Sequence, residues 1–284
     1  MHWLDTTEYP FAARYFKLNA HHLHYVDEGQ GEPILFVHGT PSWSYDFRNV
    51  IKELRTEFRC MAIDHLGFGL SDKPEAYDYS PQQHSLNLEQ FVVHHNLTKL
   101  TLVLHDFGGP IGLQMALRQS ARIKRIIILN SWIGSSAADP DFIKLSKILR
   151  NPIIPWLYRN FNFSARVVMP QSFGAVKLSS KHRKQFTQPF LKRNERGGPL
   201  AFLHSLLHDQ PWFEELWQQR EALQSKPLLL IWGMRDPVVK VTNLKKFVSG
   251  FPHAEVVAIE TAGHFPQEEQ PHAVATAIRN FMTR

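Results

Sequence analysis

This sequence of 284 residues has one cysteine, no long apolar run and no initial segment with the pattern of a signal peptide. Cys60 is the single cysteine, so the chain has no second thiol with which to form an intrachain disulfide. No segment approaches about 18 consecutive apolar residues, and the first residues hold no basic stretch followed by an apolar run. We therefore expect a cytoplasmic protein that has no secretion signal, no membrane span and no membrane partner.

Acidic residues are few in one part of the chain only. The net charge is +6, yet residues 133–210 contain twelve Lys or Arg and four Asp or Glu, a surplus of eight in that segment alone. The densest basic run, residues 181–184, lies in a helix-like stretch with Phe186 and Phe190, which favours a solvated helix face. We expect no nucleic-acid partner.

Short apolar runs alternate with amphipathic helix patterns over much of the chain. Buried strands are predicted at residues 33–37, 59–63, 100–104, 126–129, 227–232 and 255–259. Helices are predicted at about residues 47–58, 81–95, 110–118 and 272–282. This alternation predicts an α/β fold with a parallel sheet, and alternating residues at 15–18 and 22–26 add an antiparallel edge.

The alternation stops between residues 133 and 222. Helix-like patterns broken by seven prolines fill this segment, and none of them has the pattern of a buried parallel strand. We therefore predict a core formed by residues 1–132 and 223–284, interrupted by a helical cap at residues 133–222.

Asp106 stands where a predicted strand turns directly into a helix. The segment His105-Asp106-Phe107-Gly108-Gly109 has the strand–turn–helix context of a nucleophile elbow, although an aspartate that merely caps the helix would give the same local pattern. Asp236 follows the strand at 227–232, and His264 follows the strand at 255–259. Nucleophile, acid and histidine thus occur in the order of a hydrolase triad, which predicts Asp106, Asp236 and His264 as catalytic residues.

The segment His38-Gly39-Thr40-Pro41 follows another predicted strand. We expect the backbone N–H groups of Thr40 and Phe107 to face one oxygen of Asp106 as an oxyanion hole. His38 and Asp64 are interpreted as residues that shape neighbouring turns.

No metal site or cofactor is predicted. His204 and His208 have helical spacing, but Ser205 stands where a zinc protease motif requires glutamate. We interpret both histidines as surface or packing residues.

Residues 38–45, 64–74 and 105–109 together resemble the haloalkane dehalogenase branch of the α/β hydrolases. The resemblance implies an α/β-hydrolase fold, a mostly parallel sheet with an inserted helical cap. It also implies that Asp106 forms a covalent ester with a small apolar substrate and that His264, supported by Asp236, activates the water that hydrolyses the ester.

Two positions depart from that family. Phe107 occupies the place of the usual halide-binding tryptophan, and Thr40 that of the usual Asn or Glu, so efficient halide release is left open. Candidate pocket residues are Trp43, Trp132, Trp156, Tyr158 and Phe265.

Three other functions stay open. An epoxide hydrolase typically uses a pair of cap tyrosines, whereas residues 133–222 contain only Tyr158. A β-lactone decarboxylase releases no halide, so the missing halide donors would not impair it. A ligand-binding receptor of the same fold is the non-enzyme alternative, which the complete triad disfavours. Both a monomer and a homodimer are compatible with the sequence.

Overall fold

The computed structural model describes residues 2–284, whose strands form one mixed sheet. The eight strands are β1 (Arg14–Leu18), β2 (His21–Glu28), β3 (Pro33–Val37), β4 (Arg59–Ile63), β5 (Leu100–His105), β6 (Ile123–Leu129), β7 (Leu228–Gly233) and β8 (Glu255–Ile259). Their order in the sheet is β1-β2-β4-β3-β5-β6-β7-β8. Pairing is parallel from β4 to β8, and β1 and β2 form the antiparallel edge. The predicted mostly parallel sheet is confirmed.

Helices connect the strands. The α-helices of residues 2–284 are α1 (Arg48–Leu54), α2 (Pro81–His94), α3 (Gly108–Arg118), α4 (Pro140–Leu149), α5 (Ile153–Phe161), α6 (Met169–Gln171), α7 (Ser180–Thr187), α8 (Gly197–His208), α9 (Gln210–Gln219), α10 (Val241–Gly250), α11 (Pro266–Glu269) and α12 (Pro271–Met282). The sequence patterns did not predict α10, because only Leu244, Phe247 and Gly250 of that helix are buried and its apolar pattern is correspondingly short. The predicted helix at residues 47–58 is shorter and follows a 3-10 turn at Ser44–Phe47.

The segment between β6 and β7 is helical. It contains α4 to α9, short 3-10 turns and a π-helical turn at Ser164–Val168, and no strand in the part of the chain that the structure describes. We call residues 133–222, which lie within this helical segment, the cap; their standing as a separate domain stays a prediction.

Apolar side chains cover both faces of the sheet. Along β3, Leu35 and Val37 belong to one hydrophobic cluster and Ile34 and Phe36 to the other, because neighbouring residues of a strand point to opposite faces. A parallel sheet buried on both faces holds its strands in register, so the residues that follow β5, β7 and β8 meet at one edge. No helix among residues 2–284 has both the length and the apolar character needed to cross a membrane.

Candidate active site

Asp106 lies in the tight turn between β5 and α3. Its φ angle of 53° is in the left-handed region, which costs a residue with a side chain on the order of 1–3 kcal/mol and is typical of functional turns. A Cβ on Gly108 would overlap the backbone carbonyl of Val37, and one on Gly109 would overlap Ser131 Oγ. The turn is therefore packed too closely for side chains at these two positions. The Ser131 hydroxyl also donates a hydrogen bond to the backbone oxygen of Asp106 at 2.6 Å.

Backbone donors hold the Asp106 carboxylate. The Thr40 N–H donates to Oδ1 at 2.7 Å, and the adjacent Phe107 N–H helps to stabilise the charge of the carboxylate. A Cβ on Gly39 would overlap Oδ1, so glycine is required beside this contact. Burial alone would raise the pKa of Asp106, but contact with His264 and the Phe107 N–H keep it below its ordinary value. Asp106 is thus ionised at neutral pH.

His264 lies between two carboxylates. Its Nε2 is 3.3 Å from Asp106 Oδ2, and its Nδ1 is 2.7 Å from Asp236 Oδ2, with all three side chains buried. Burial alone would lower the pKa of His264, but Asp236 and Asp106 together raise it to about 10. The structure therefore brings the three predicted triad residues together, with an imidazolium between two anions in the resting protein.

Asp236 is held by donors on both of its oxygens. Oδ1 accepts from the N–H groups of Val238 and Val239 at 2.7 and 2.9 Å, and Oδ2 accepts from the Asn130 amide at 2.8 Å. Asn130 is fixed in turn by two hydrogen bonds with the backbone of Gly233. Sequence reasoning missed Asn130, although its position directly after a buried strand was a usable signal.

A second titratable pair lies behind His264. His105 Nε2 is 2.7 Å from the backbone oxygen of His264, and its Nδ1 is 3.7 Å from Asp46 Oδ2, which is too far for a hydrogen bond. Ser42 and Gln267 donate to the Asp46 carboxyl group. Burial raises the pKa of Asp46 to about 8 and lowers that of His105 to about 3, so Asp46 carries a proton at neutral pH. Sequence reasoning missed this pair, because the two residues lie on different elements.

The contacts of His38 and Asp64 match their interpretation as residues that shape turns. His38 Nδ1 is hydrogen-bonded to the backbone oxygen of Gly39 at 2.6 Å, and His38 Nε2 accepts a hydrogen bond from the His65 N–H. Asp64 accepts backbone N–H groups from two loop residues, Ser44 and Leu70, and faces His24.

Aromatic side chains pack against Phe107, the residue that follows Asp106. The Phe107 ring centroid is 4.8 Å from that of Trp132 and 4.5 Å from that of Phe202, and Phe213 of α9 contacts both Phe107 and Trp132. The indole N–H of Trp132 and the hydroxyl of Thr40 are buried and have no hydrogen-bond partner within residues 2–284. The surroundings of Asp106 are therefore apolar, with two unused donors. Phe202 and Phe213 were not predicted, because their helical apolar spacing is equally typical of core residues.

The remaining pocket candidates divide into two groups. Phe265 is buried with its ring centroid 4.9 Å from that of His264, and Tyr158 lies near enough to Asp106 that its charge, together with burial, raises the pKa of Tyr158 to about 12.

The other two candidates have different surroundings. Trp43 is fully buried between Tyr9 and Tyr45, and its indole N–H donates to the Gln185 oxygen, so it joins the core to the cap. Trp156 is 52% exposed on α5. Packing of the core holds Trp43 and the orientation of α5 turns Trp156 to the surface, so a pocket role for either residue stays a prediction.

The cap histidines show no metal-binding geometry. His204 and His208 are exposed with ring centroids 6.1 Å apart. Residues 2–284 hold no group of three or more His, Cys, Asp or Glu side chains placed to bind a metal ion.

Comparison with known proteins agrees with this geometry. A family model described as the α/β hydrolase fold matches residues 32–271. Haloalkane dehalogenase 2 of Mycobacterium tuberculosis is 34% identical over 96% of both chains. The cis-3-alkyl-4-alkyloxetan-2-one decarboxylase of Shewanella oneidensis is 32% identical over 99% of this chain and 91% of that protein. The crystal structure of the haloalkane dehalogenase DatA from Agrobacterium tumefaciens C58 superposes with a TM-score of 0.87, at 26% identity and 96% coverage of each chain. The chain therefore belongs to the α/β-hydrolase family, as an enzyme of the haloalkane dehalogenase-like type.

Proposed function

We propose that this enzyme hydrolyses a carbon–halogen bond of a small apolar substrate, with Asp106 as the nucleophile. The observation that carries the proposal is the placement of the Asp106 carboxylate, which is ionised, bound by the Thr40 N–H and in contact with His264. An ionised aspartate needs no base to activate it. The histidine is then available for the second step of the reaction.

The first step forms an ester. Oδ1 accepts the Thr40 N–H, which leaves Oδ2 to attack the substrate carbon as the carbon–halogen bond breaks and the halide departs with the bonding electrons. The apolar rings of Phe107, Trp132 and Phe202 favour an uncharged alkyl group beside Asp106.

The second step consumes water. Water attacks the carbonyl carbon of the ester while His264 Nε2 accepts its proton, and the N–H groups of Thr40 and Phe107 stabilise the oxyanion. The ester C–O bond then breaks, and the alcohol leaves as Asp106 regains its carboxylate; the net products are the alcohol, a proton and the halide. Esterification removes one of the two charges that raise the pKa of His264, so its proton is more easily lost at this stage.

Asp236 supports the histidine throughout. Its position is set by three donors and it binds His264 Nδ1 at 2.7 Å, so it orients the ring and stabilises the imidazolium.

We propose residues 133–222 as the cap that closes the pocket over these groups, and water and a small apolar molecule as the only partners of the reaction.

β-Lactone opening is the second candidate. Phe107 offers no side-chain N–H for a departing halide, and opening a lactone ring releases none. The Shewanella oneidensis relative is named for such an oxetanone, and it is nearly as similar as the dehalogenase relatives. The same Asp106 attack would open the ring, and its leaving carboxylate would stay attached to the substrate.

The discriminating experiment is a substrate panel with three proteins. Bromide release from 1-bromoalkanes and consumption of a dialkyl β-lactone are measured with wild type, with Asp106→Asn and with the exposed Glu221→Gln as the matched carboxylate control. We expect bromide release that falls at least about a thousandfold in Asp106→Asn and is unchanged in the control. Lactone consumption without bromide release would replace the first proposal by the second, and activity that survives in Asp106→Asn would overturn both.

A further inference from the structure

The outer side of the cap carries large apolar side chains that the rest of the described chain leaves exposed. Ile148, Ile153, Trp156 and Phe161 are each more than half exposed, and Ile143 is 40% exposed. They belong to α4 and α5, neither of which contains a buried residue. The rings of Trp156 and Phe161 are in contact at a centroid distance of 5.2 Å. We call these five residues the α4–α5 face, and apolar clusters of this kind mark interaction sites.

The charge along α4 and α5 is positive beyond the first turn of α4, where Asp141 is paired with Lys240. Residues 142–194 contain eleven Lys or Arg and no Asp or Glu. Five basic residues lie on α4, on α5, directly after α4 or in the π-helical turn that follows α5, and they form no ion pair within residues 2–284; they are Lys144, Lys147, Arg150, Arg159 and Arg166.

Basic and apolar residues alternate along α4. Lys144 lies four residues before Ile148, and Ile143 lies four residues before Lys147, so each pair is on adjacent turns of one side. A long lysine side chain can lie along such an apolar neighbour and place its charge at the edge of the patch. The helix therefore presents apolar surface rimmed by unpaired positive charge.

This combination selects among possible occupants. A second copy of the chain that met this face about a two-fold axis would bring the same basic residues against each other. An acidic protein would supply negative charge, but its surface would also have to be complementary in shape to exposed side chains on two separate helices. An anionic bilayer supplies negative headgroups and an apolar layer beneath them, and it requires no defined shape.

We propose that the α4–α5 face docks on an anionic lipid bilayer without crossing it. Trp156 and Phe161 enter the boundary between headgroups and acyl chains, and the five unpaired basic residues bind the headgroups. The sequence led us to expect no membrane partner because it contains no spanning segment, and that reasoning does not apply to a surface contact.

Docking would bring the site close to apolar molecules dissolved in the membrane. α5, which carries Trp156 on the outside, also carries Tyr158, and Tyr158 lies near enough to Asp106 to feel its charge. Docking itself depends on the surface alone, so its failure would leave the proposed chemistry of Asp106 unaffected.

Vesicle sedimentation tests the proposal. The full chain is mixed with vesicles of phosphatidylcholine alone or of phosphatidylcholine and phosphatidylglycerol in about equal amounts. We expect binding to the anionic vesicles to be at least about tenfold tighter and to weaken as salt is added.

Two variants separate the contributions of the face. The apolar variant carries Ile148→Ser, Trp156→Ser and Phe161→Ser, and the charge variant carries Lys144→Gln, Lys147→Gln and Arg150→Gln. Each should lose at least about tenfold in affinity for anionic vesicles.

Matched controls use exposed residues elsewhere. Val93→Ser with Val248→Ser is the apolar control, and Lys17→Gln with Lys99→Gln and Lys245→Gln is the charge control. Both should bind as wild type does, and the melting temperature of every variant verifies folding. Absence of binding to anionic vesicles, or equal losses in face and control variants, would overturn the proposal. A dimer in sedimentation velocity that only the face variants abolish, without vesicle binding, would assign the face to a second copy instead.

Discussion

The side-chain amide of Asn130 donates to Asp236 Oδ2 at 2.8 Å, the same oxygen that lies 2.7 Å from His264 Nδ1. Asn130 follows β6 and Asp236 follows β7, so two neighbouring parallel strands position the acid beneath the histidine. Asn130 does not touch the reacting atoms in the proposed mechanism. It is therefore a positioning residue for Asp236.

Replacing Asn130 should slow the reaction without unfolding the protein. Asn130→Ala removes a hydrogen bond to a buried carboxylate, which is worth about 1.5–3 kcal/mol, so kcat should fall about 10- to 100-fold. The exposed Asn280→Ala is the control. Steady-state kinetics over a pH range should also show an altered pH profile, because Asp236 raises the pKa of His264. An unchanged kcat and pH profile would exclude the positioning role.

Removing the base should stop the reaction halfway. His264→Phe cannot activate water, so the ester on Asp106 should accumulate when substrate is added. Intact-protein mass spectrometry should show an increase equal to the alkyl group of the substrate. The double variant Asp106→Asn, His264→Phe should show no increase; an adduct there would place the ester on another residue.

Asp46 should give the protein a pH-dependent stability. Burial raises its pKa to about 8, so between its ordinary value and pH 8 the folded state binds a proton that the unfolded state has released. The stabilising contribution is therefore complete in acid and is lost as the pH rises through this window. Its ionisable neighbours are Glu268 and Arg48, which form a buried ion pair, and His105, which is neutral in this window because burial lowers its pKa to about 3.

Asp46→Asn removes this titration while keeping a polar group of the same shape. Relative to wild type, the free energy of unfolding of the variant should rise with pH, by at most about 1.4 kcal/mol per pH unit between about pH 4 and 8. Urea unfolding at several pH values measures the difference, with the exposed Asp78→Asn as the control. Parallel stability curves for wild type and Asp46→Asn would contradict the raised pKa.

Two glycine substitutions should have different effects. A Cβ on Gly39 overlaps the Asp106 carboxylate, whereas a Cβ on Gly108 overlaps the backbone of Val37. Gly39→Ala should push Asp106 off the Thr40 N–H and lower kcat at least about a hundredfold, with a small change in melting temperature. Gly108→Ala should lower the melting temperature by several degrees, because backbone has to move. Equal effects on activity and stability for the two variants would be inconsistent with these contacts.

Local patterns in the sequence determined much of this molecule. The strands at residues 33–37, 59–63 and 255–259 were predicted to the residue, because apolar runs of strand length bounded by turns leave little freedom. Asp106, Asp236 and His264 were predicted because each follows such a strand, and parallel strands bring their carboxyl ends to one edge. Position along the chain was therefore enough to predict that these side chains meet.

Only the tertiary structure decided which side chains support the site and which face outward. Asn130 meets Asp236, and Asp46 approaches His105, across more than fifty residues of chain, and no local pattern encodes such a meeting. Trp156 was expected in the pocket. The pattern of an amphipathic cap helix shows that one side of the helix is apolar, but it does not show what that side packs against. Helix packing turns that side of α5 toward solvent, and this orientation produces the α4–α5 face.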